Sequence, residues 1–423
     1  MRTLVVAEQY PWPSIDGYRR RMDHMVRGLA RAGAVEVVAL HREGTATPVE
    51  PSIPGVELVE WLPVGGEAPI REWGPKWVRG GVRSGVPRRL LGPDWRALRE
   101  HLEFRVMAGE RPSGKQIDLV WFSHVDTWWP LQDVFGDTPA IVDFDNLENL
   151  ALNLRRRMPP RFPPESSVIE RAKIAARWAT SRAFDLVDES RWDRIQKDCS
   201  SKVDRVVVCS ALDVERSGCT NAVVIGNGAD RVEDADLDRY GLRSERPTLL
   251  FIGALDYEPN TEAVEWFARD VMPLLAQQVP DVRVRIVGRG RHQVEWVGDV
   301  DGMELVGSVD SVEPELRSAD AVIVPIRVGA GTRLKVVEAL ANRLPLVTTS
   351  IGGEGIDLTD GLDALIADDA SGFASACARV LTDGQLRQRL ADRGFELFAA
   401  HYDWDRIEAD IADLAREVVN EHR

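Results

Sequence analysis

Short apolar runs alternate with helical periodicity along almost the whole chain. Residues 2–8 (RTLVVAE) are a continuous apolar run, the pattern of a parallel strand buried on both faces. A breaker-rich loop, 9–17, follows and leads into a helix over 18–32. Strands are predicted at 35–40, 56–61, 118–122, 140–144 and 204–209, with helices at 94–106 and 165–199. The pattern breaks near 225–230, and the polar stretch 231–247 reads as a connection. Alternation then restarts. Strands are predicted at 248–253, 282–288, 304–306, 321–324, 346–349 and 364–367, with helices at 261–278, 312–318 and from Thr332 onward. Helical patterns at 370–381, 385–401 and 406–421 end the chain.

Strands alternating with helices imply an α/β protein with two doubly wound, Rossmann-like units. The expected domains are 1–228, a connection over 229–246, and 247–400. A C-terminal helix within 401–423 is expected to pack back on the first domain. Such a pair predicts a ligand cleft between the carboxyl ends of the two sets of strands.

Composition narrows the class. The chain has 423 residues with ordinary hydrophobic and charged fractions, and no run approaches the ~18–20 apolar residues of a membrane span. Its start runs straight into a strand pattern, so no signal peptide is expected. Cys199, Cys209, Cys219 and Cys377 have no metal-ligand spacing, which fits a reducing cytoplasm and argues against structural zinc. The net charge of −15 argues against nucleic acid as a partner. Residues 71–111 nevertheless hold ten basic residues and five acids, with Trp73, Trp77 and Trp95 among them. That segment is expected either to make peripheral contact with an anionic membrane or acceptor or to be a plain solvated helix.

Candidate chemistry concentrates at 324–342 (VPIRVGAGTRLKVVEALAN). A buried strand stops at Pro325, Gly329, Ala330 and Gly331 form a loop with little side chain, and Thr332 can cap the next helix. Arg333 and Lys335 then stand in its first turn, where each cation costs roughly 0.3–1 kcal/mol against the helix dipole. Glycines, free N–H groups and two cations at one place point to a bound anion such as a diphosphate. Glu338, five residues beyond Arg333 and about 7.5 Å along the axis, is in reach of an adjoining sugar hydroxyl. A surface helix that merely starts with basic residues is the plainer alternative.

The first half offers weaker signals. Asp16 and Gly17 open the first helix, where Arg19, Arg20 and Arg21 again oppose the dipole. Asp143 and Asp145 form a DxD pattern at a strand end, but no further ligands accompany them and no metal is expected. Asp145 and the neighbouring Asn146 would face sugar or acceptor hydroxyls. His124, just past another strand, is the best placed proton acceptor of the first half if it is not structural. No GxGxxG follows a first strand and no GxSxG surrounds Ser210, which disfavours nicotinamide oxidoreductases and hydrolases. Phe104 and Trp178, at helical spacing, read as core.

Taken together, residues 247–267, 285–290, 306–316, the 324–342 stretch and 349–357 (TSIGGEGID) resemble family 4 glycosyltransferases of the GT-B fold, in a branch with a GxGTRxK pattern. The resemblance implies transfer of a sugar from a nucleotide-diphosphate sugar to an acceptor hydroxyl, with retention. No cofactor beyond that co-substrate is implied. By the same likeness, Glu338 holds the ribose hydroxyls, the helix start at Gly331, Thr332 and Leu334 receives the diphosphate, and the loop reaching Val309 lies against the base. Gly17, Gly253, Gly288 and Gly329 complete the donor-binding set. Arg333, Lys335, Asp145 and His124 are the catalytic candidates, and Asp16, Arg21 and Asn146 those for the acceptor. Two departures stand out. Ala330 occupies the place of the first of two family glutamates, and Ala254 and Pro259 stand where a family Arg and Lys are usual. Arg333 and Lys335 are expected to supply that missing positive charge from the other side. A GT-B scaffold without catalysis, or a GT-B sugar epimerase, is the alternative.

Overall fold

The computed structural model describes residues 1–42, 47–64, 86–87, 90, 93–107, 116–160, 162, 166–232, 246–329 and 334–423. The first apolar run becomes β1 (Arg2–Ala7), with Leu4, Val5, Val6 and Ala7 fully buried. The helix after it, α1 (Gly17–Ala32), turns Met22, Met25, Val26 and Leu29 inward. The series continues with β2 (Ala34–Arg42), β3 (Val56–Val64), α2 (Pro93–Met107), β4 (Leu119–Phe122) and a short α3 (Val125–Trp128). It ends with β5 (Ala140–Phe144), α4 (Glu148–Arg157), α5 (Val168–Ser200), β6 (Arg205–Val208), α6 (Ala211–Ser217) and β7 (Ala222–Val224). These strands form one parallel sheet in the order β3-β2-β1-β4-β5-β6-β7. The order reverses between β1 and β4, and the carboxyl ends of those two strands frame a crevice.

The second series comprises β8 (Thr248–Ile252), α7 (Glu258–Trp266), α8 (Met272–Gln278), β9 (Arg283–Val287), β10 (Met303–Gly307), α9 (Glu313–Ser318) and β11 (Ala321–Val324). It continues through α10 (Leu334–Ala341), β12 (Leu346–Thr348), β13 (Leu365–Ile366), α11 (Ala370–Thr382) and α12 (Gly384–His401). Its parallel sheet runs β10-β9-β8-β11-β12-β13, with the switch point between β8 and β11. Val322, Val324, Val336, Val337 and Leu340 form one layer of its core, and Phe251, Phe267, Ile323 and Phe373 another.

The chain divides into two compact units, Met1–Ile225 with Ile407–Arg423, and Gly226–Arg406. The last helix, α13 (Trp404–Glu421), therefore belongs mostly with the first unit. It buries Ile407, Ile411, Ala415 and Val418, and a Cβ on Gly28 would lie 2.8 Å from Ile411 Cβ, so α1 and α13 pack closely there. Glu408 accepts from His24 Nδ1 at 2.8 Å and from Arg31, and Arg205 pairs with Glu417 and Glu421.

Several local expectations need correction. The helix expected over 261–278 begins at Glu258, with Pro259 in its first turn, and is interrupted by a π turn, Phe267–Val271. Pro273 has no N–H to continue the ladder, which explains the break. Helix α4 went unread, because none of its residues is buried and the segment is polar overall. Trp178 is not core: it is half-buried, and its Nε1 donates to Met158 O at 3.0 Å, tying α5 to the end of α4. Within 71–111, Trp95 is buried in the first core beside Leu98 and Leu102, so it is unavailable to a membrane. Trp73 and Trp77, like most of the expected connection, lie outside the described residues. None of the four cysteines is in a disulfide, and all are buried. Among the described residues no helix is long and apolar enough to cross a membrane.

Candidate functional site

In the second unit the polar residues gather at the carboxyl end of β8. After Ile252 the chain turns at Gly253, and Gly253 N donates to Val287 O at 2.9 Å. Gly288, at the end of β9, has φ +153°, and a Cβ there would lie 1.9 Å from Gly253 O. Only glycine fits so close a backbone approach. The result is an open floor at the end of the two strands.

Lys335 projects onto that floor from the first turn of α10. Its Nζ donates to Asn260 Oδ1 at 2.7 Å and lies 4.4 Å above the centroid of the buried Phe251 ring. Asn260 Nδ2 in turn donates to Ala254 O at 2.8 Å, which fixes the orientation of the amide. A Cβ on Gly253 would meet Lys335 Nζ at 2.7 Å, so the glycine leaves room for the ammonium. The ring face and the amide oxygen offset the cost of a cation at a helix start. Glu338 lies one turn further on the same stripe and is half-buried. Leu334 is half-buried at the head of the helix. Arg333, Thr332, Gly331 and Ala330 lie outside the described residues, while Gly329 before them is buried with φ +150°.

Two further loops border this end of the sheet. The 349–357 loop folds onto the end of β11: Thr349 Oγ1 donates to Ile326 O and accepts from Gly352 N at 2.8 Å. A Cβ on Gly352 would lie 2.4 Å from Val324 O, so the loop hugs the strand end. Val309, after β10, is half-buried against the layer that includes Val324 and Val336. Asn260 is the residue that sequence reasoning missed. It stands in the first turn of α7, 75 positions from Lys335, and no spacing connects the two.

The first unit has its own polar group at the ends of β1 and β4. Tyr18 Oη accepts from Glu8 N at 3.1 Å and donates to Ser123 Oγ at 3.0 Å. His124 is buried, with Nδ1 3.4 Å from Asp126 and Nε2 3.7 Å from Glu148. Burial alone would lower its pKa, but Asp126, Glu148 and Glu8 outweigh it and push the imidazole up to about 9. The carboxylates around His124 therefore favour its imidazolium form. Ligand-type atoms of Glu8, His124 and Asp126 lie within 4.8 Å of one another. The carboxylates that favour a proton on His124 would equally favour a metal cation in its place, so the trio is an ion cluster that fits either.

The remaining candidates of this half are placed differently from one another. Asp16 caps α1, accepting from Arg19 N at 2.9 Å, with Gly17 as the first helical residue. Arg21 is 1 % exposed and forks onto Asp143, Nε to Oδ2 at 2.9 Å and Nη2 to Oδ1 at 2.8 Å. It also donates to Ile225 O at 3.0 Å. Burial opposes the Arg21 charge, but Asp143 outweighs it and keeps the guanidinium ionised. The cation that opposes the α1 dipole is thus paired with a carboxylate of β5. The DxD pair is thus divided, with Asp143 internal. Asp145 is a quarter exposed at the strand's end, and Asn146 is exposed beside it.

Comparison with known proteins bears on the fold and on the second unit. Residues 246–383 match the family model described as glycosyl transferases group 1. A phosphatidyl-myo-inositol mannosyltransferase of Mycolicibacterium smegmatis is 35% identical over 203 residues, 45% of this chain and 51% of that protein. A glycogen synthase of Mycobacterium tuberculosis is 28% identical over 233 residues, 50% and 53% of the two chains. The chain spans about half the length of the curated relatives it matches. Among solved structures, a sucrose-phosphate synthase from Thermosynechococcus elongatus superposes with a TM-score of 0.67 over 100% of both chains at 19% identity. The Anabaena protein Alr3699/HepE, solved with UDP and glucose, gives 0.59 over 98% and 99% at 14% identity. At such identities the likeness establishes the fold, two parallel α/β units of the GT-B kind.

Proposed function

We propose that the protein transfers a sugar from a nucleotide-diphosphate sugar to an acceptor hydroxyl. The observation that carries this reading is the Lys335 ammonium, held by Asn260 over Phe251 at the switch point of the second sheet. The carboxyl end of a doubly wound sheet, with glycines that admit backbone and a helix start aimed at it, is suited to a diphosphate. The matched family model spans this whole region, the curated relatives are a mannosyltransferase and a glycogen synthase, and Alr3699/HepE was solved with UDP and with UDP-glucose.

In this reading the diphosphate lies at the head of α10 against Lys335 and Arg333, and Glu338 takes the ribose hydroxyls. As the bond from the anomeric carbon to the phosphate oxygen breaks, negative charge grows on that oxygen, where a fixed cation has most effect. The acceptor hydroxyl forms the new bond on the same face, and its proton goes to the departing phosphate oxygen. The outcome is retention, of the family 4 type, without a strong protein base or a metal.

A thermal-shift screen of UDP, GDP, ADP and dTDP sugars tests the reading. A ligand at 100 times its Kd stabilises by about 2.7 kcal/mol. One nucleotide series should stabilise the wild type and fail to stabilise Lys335→Ala. Equal shifts in both proteins would remove the diphosphate from α10.

A further inference from the structure

Helix α5 has two unlike halves. From Asp185 onward it sinks into the first unit, with Asp185, Asp188, Trp192 and Ile195 buried. From Val168 to Val187 its outer face is apolar and turned to solvent. Val168 is 84% exposed, Ile169 69%, Leu186 54% and Val187 45%, and four of the five alanines between them (172, 176, 179 and 183) are exposed as well. Scattered apolar residues at a surface need no explanation, but a continuous stripe about 27 Å long does. The steps from Ile169 to Ala172, Ala176, Ala179, Ala183 and Leu186 alternate three and four, which is the seam of a coiled coil.

We propose that this seam pairs with the same seam of a second copy of the chain, antiparallel, about a two-fold axis passing between Arg177 and Trp178. Under that rotation the pattern is its own complement. Ile169 meets Leu186 of the second copy, Ala172 meets Ala183, and Ala176 meets Ala179. Self-complementarity of this kind is what a two-fold interface requires. The central alanines allow the helices to approach closely, and the larger residues close the seam at both ends. At the flanks, Lys173 falls beside Thr180 and Arg182 beside Ala175, so like charges are not opposed. An antiparallel pair also sets the two folded bodies at opposite ends of the seam, where a parallel pair would crowd them together. Charge is the argument for a lipid surface instead, since residues 168–184 carry four basic residues and one acid. Half of the stripe is alanine, however, and gains little by entering lipid.

Sedimentation velocity on the full chain, over roughly 1–100 µM where small interfaces associate, reads the outcome. The wild type should pass reversibly from monomer to a dimer of twice the 47.1 kDa chain mass. A176E/A179E sets like charges against each other at the central layers and should stay monomeric. A176E/A179K sets opposite charges across the axis and should dimerise again. In a separate test of register, oxidised A172C/A183C should give a covalent dimer linked 172 to 183, since the native cysteines are buried. A wild type that stays monomeric throughout overturns the proposal, as does a dimer indifferent to A176E/A179E or a failure to cross-link. Monomeric sedimentation with phosphatidylglycerol vesicles at low salt would assign the stripe to lipid and overturn it too.

Discussion

Lys335 Nζ and Asn260 Oδ1 lie 2.7 Å apart although 75 positions separate them, and the contact holds a cation at the end of β8. The sequence raises the expectation that Lys335 makes good the charge missing at Ala254 and Pro259. The structure sets its ammonium beside Asn260, whose own amide is anchored on Ala254 O.

If that ammonium stabilises a departing phosphate, Lys335→Ala should lower kcat roughly 10²–10³-fold, the loss typical for one preorganised electrostatic group. Its stability should change by about 1 kcal/mol or less, as for a half-buried surface substitution. Asn260→Ala leaves the charge but frees its position, so the loss should be smaller. Steady-state turnover beside urea unfolding separates the two effects, and unaltered turnover in Lys335→Ala would sink the role.

The glycines at the strand ends should differ in kind. Gly288→Ala puts a Cβ against a backbone carbonyl 1.9 Å away at φ +153°, so it should cost at least ~1–3 kcal/mol in stability. Gly253→Ala puts its Cβ against side chains rather than backbone, Lys335 Nζ at 2.7 Å and Asn260 Nδ2 at 2.8 Å, so it should cost less stability than Gly288→Ala while displacing both groups and lowering turnover. Paired melting curves and rates would reveal the contrast.

The buried fork between Arg21 and Asp143 should behave as a structural pair. Arg21→Ala leaves a buried carboxylate without its counter-charge and should destabilise the protein by ~3–5 kcal/mol. Arg21→Ala with Asp143→Ala should recover part of that loss, a coupling that a double-mutant cycle in urea measures. Independent, additive losses would show that the two side chains do not act as a pair.

His124 makes stability depend on pH with a definite sign. Its folded pKa of about 9 lies above the ordinary 6.5, so its protonated form favours the folded state. That contribution, on the order of 3 kcal/mol, is complete below about pH 6.5 and disappears as pH rises through about 9. The stability gap between wild type and His124→Gln should therefore be widest at pH 6 and close by pH 10. A gap that widens with pH would contradict the ion cluster.

Much of this protein was written in local pattern. Apolar runs and helical periods placed most strands and helices but missed α3, α4, α6 and β7, because burial on two faces and amphipathic packing leave a signature only where an element is long or deeply buried. The Gly329 loop leading into the Lys335 helix was legible for the same reason, since a cation at a helix start is a local anomaly. What pattern could not supply was partnership over distance. Arg21 and Lys335 each presented the same anomaly, a positive charge opposing a helix dipole. Only the order of the strands decided that Arg21 meets Asp143 in the core while Lys335 reaches Asn260 and Phe251 at an open strand end. The α5 stripe divides in the same way: its spacing is a property of the sequence, but its exposure depends on which face α4 and the first core leave uncovered. Periodicity constrains neighbours along one element, and the meaning of a charge or an apolar face depends on what the tertiary fold sets opposite it.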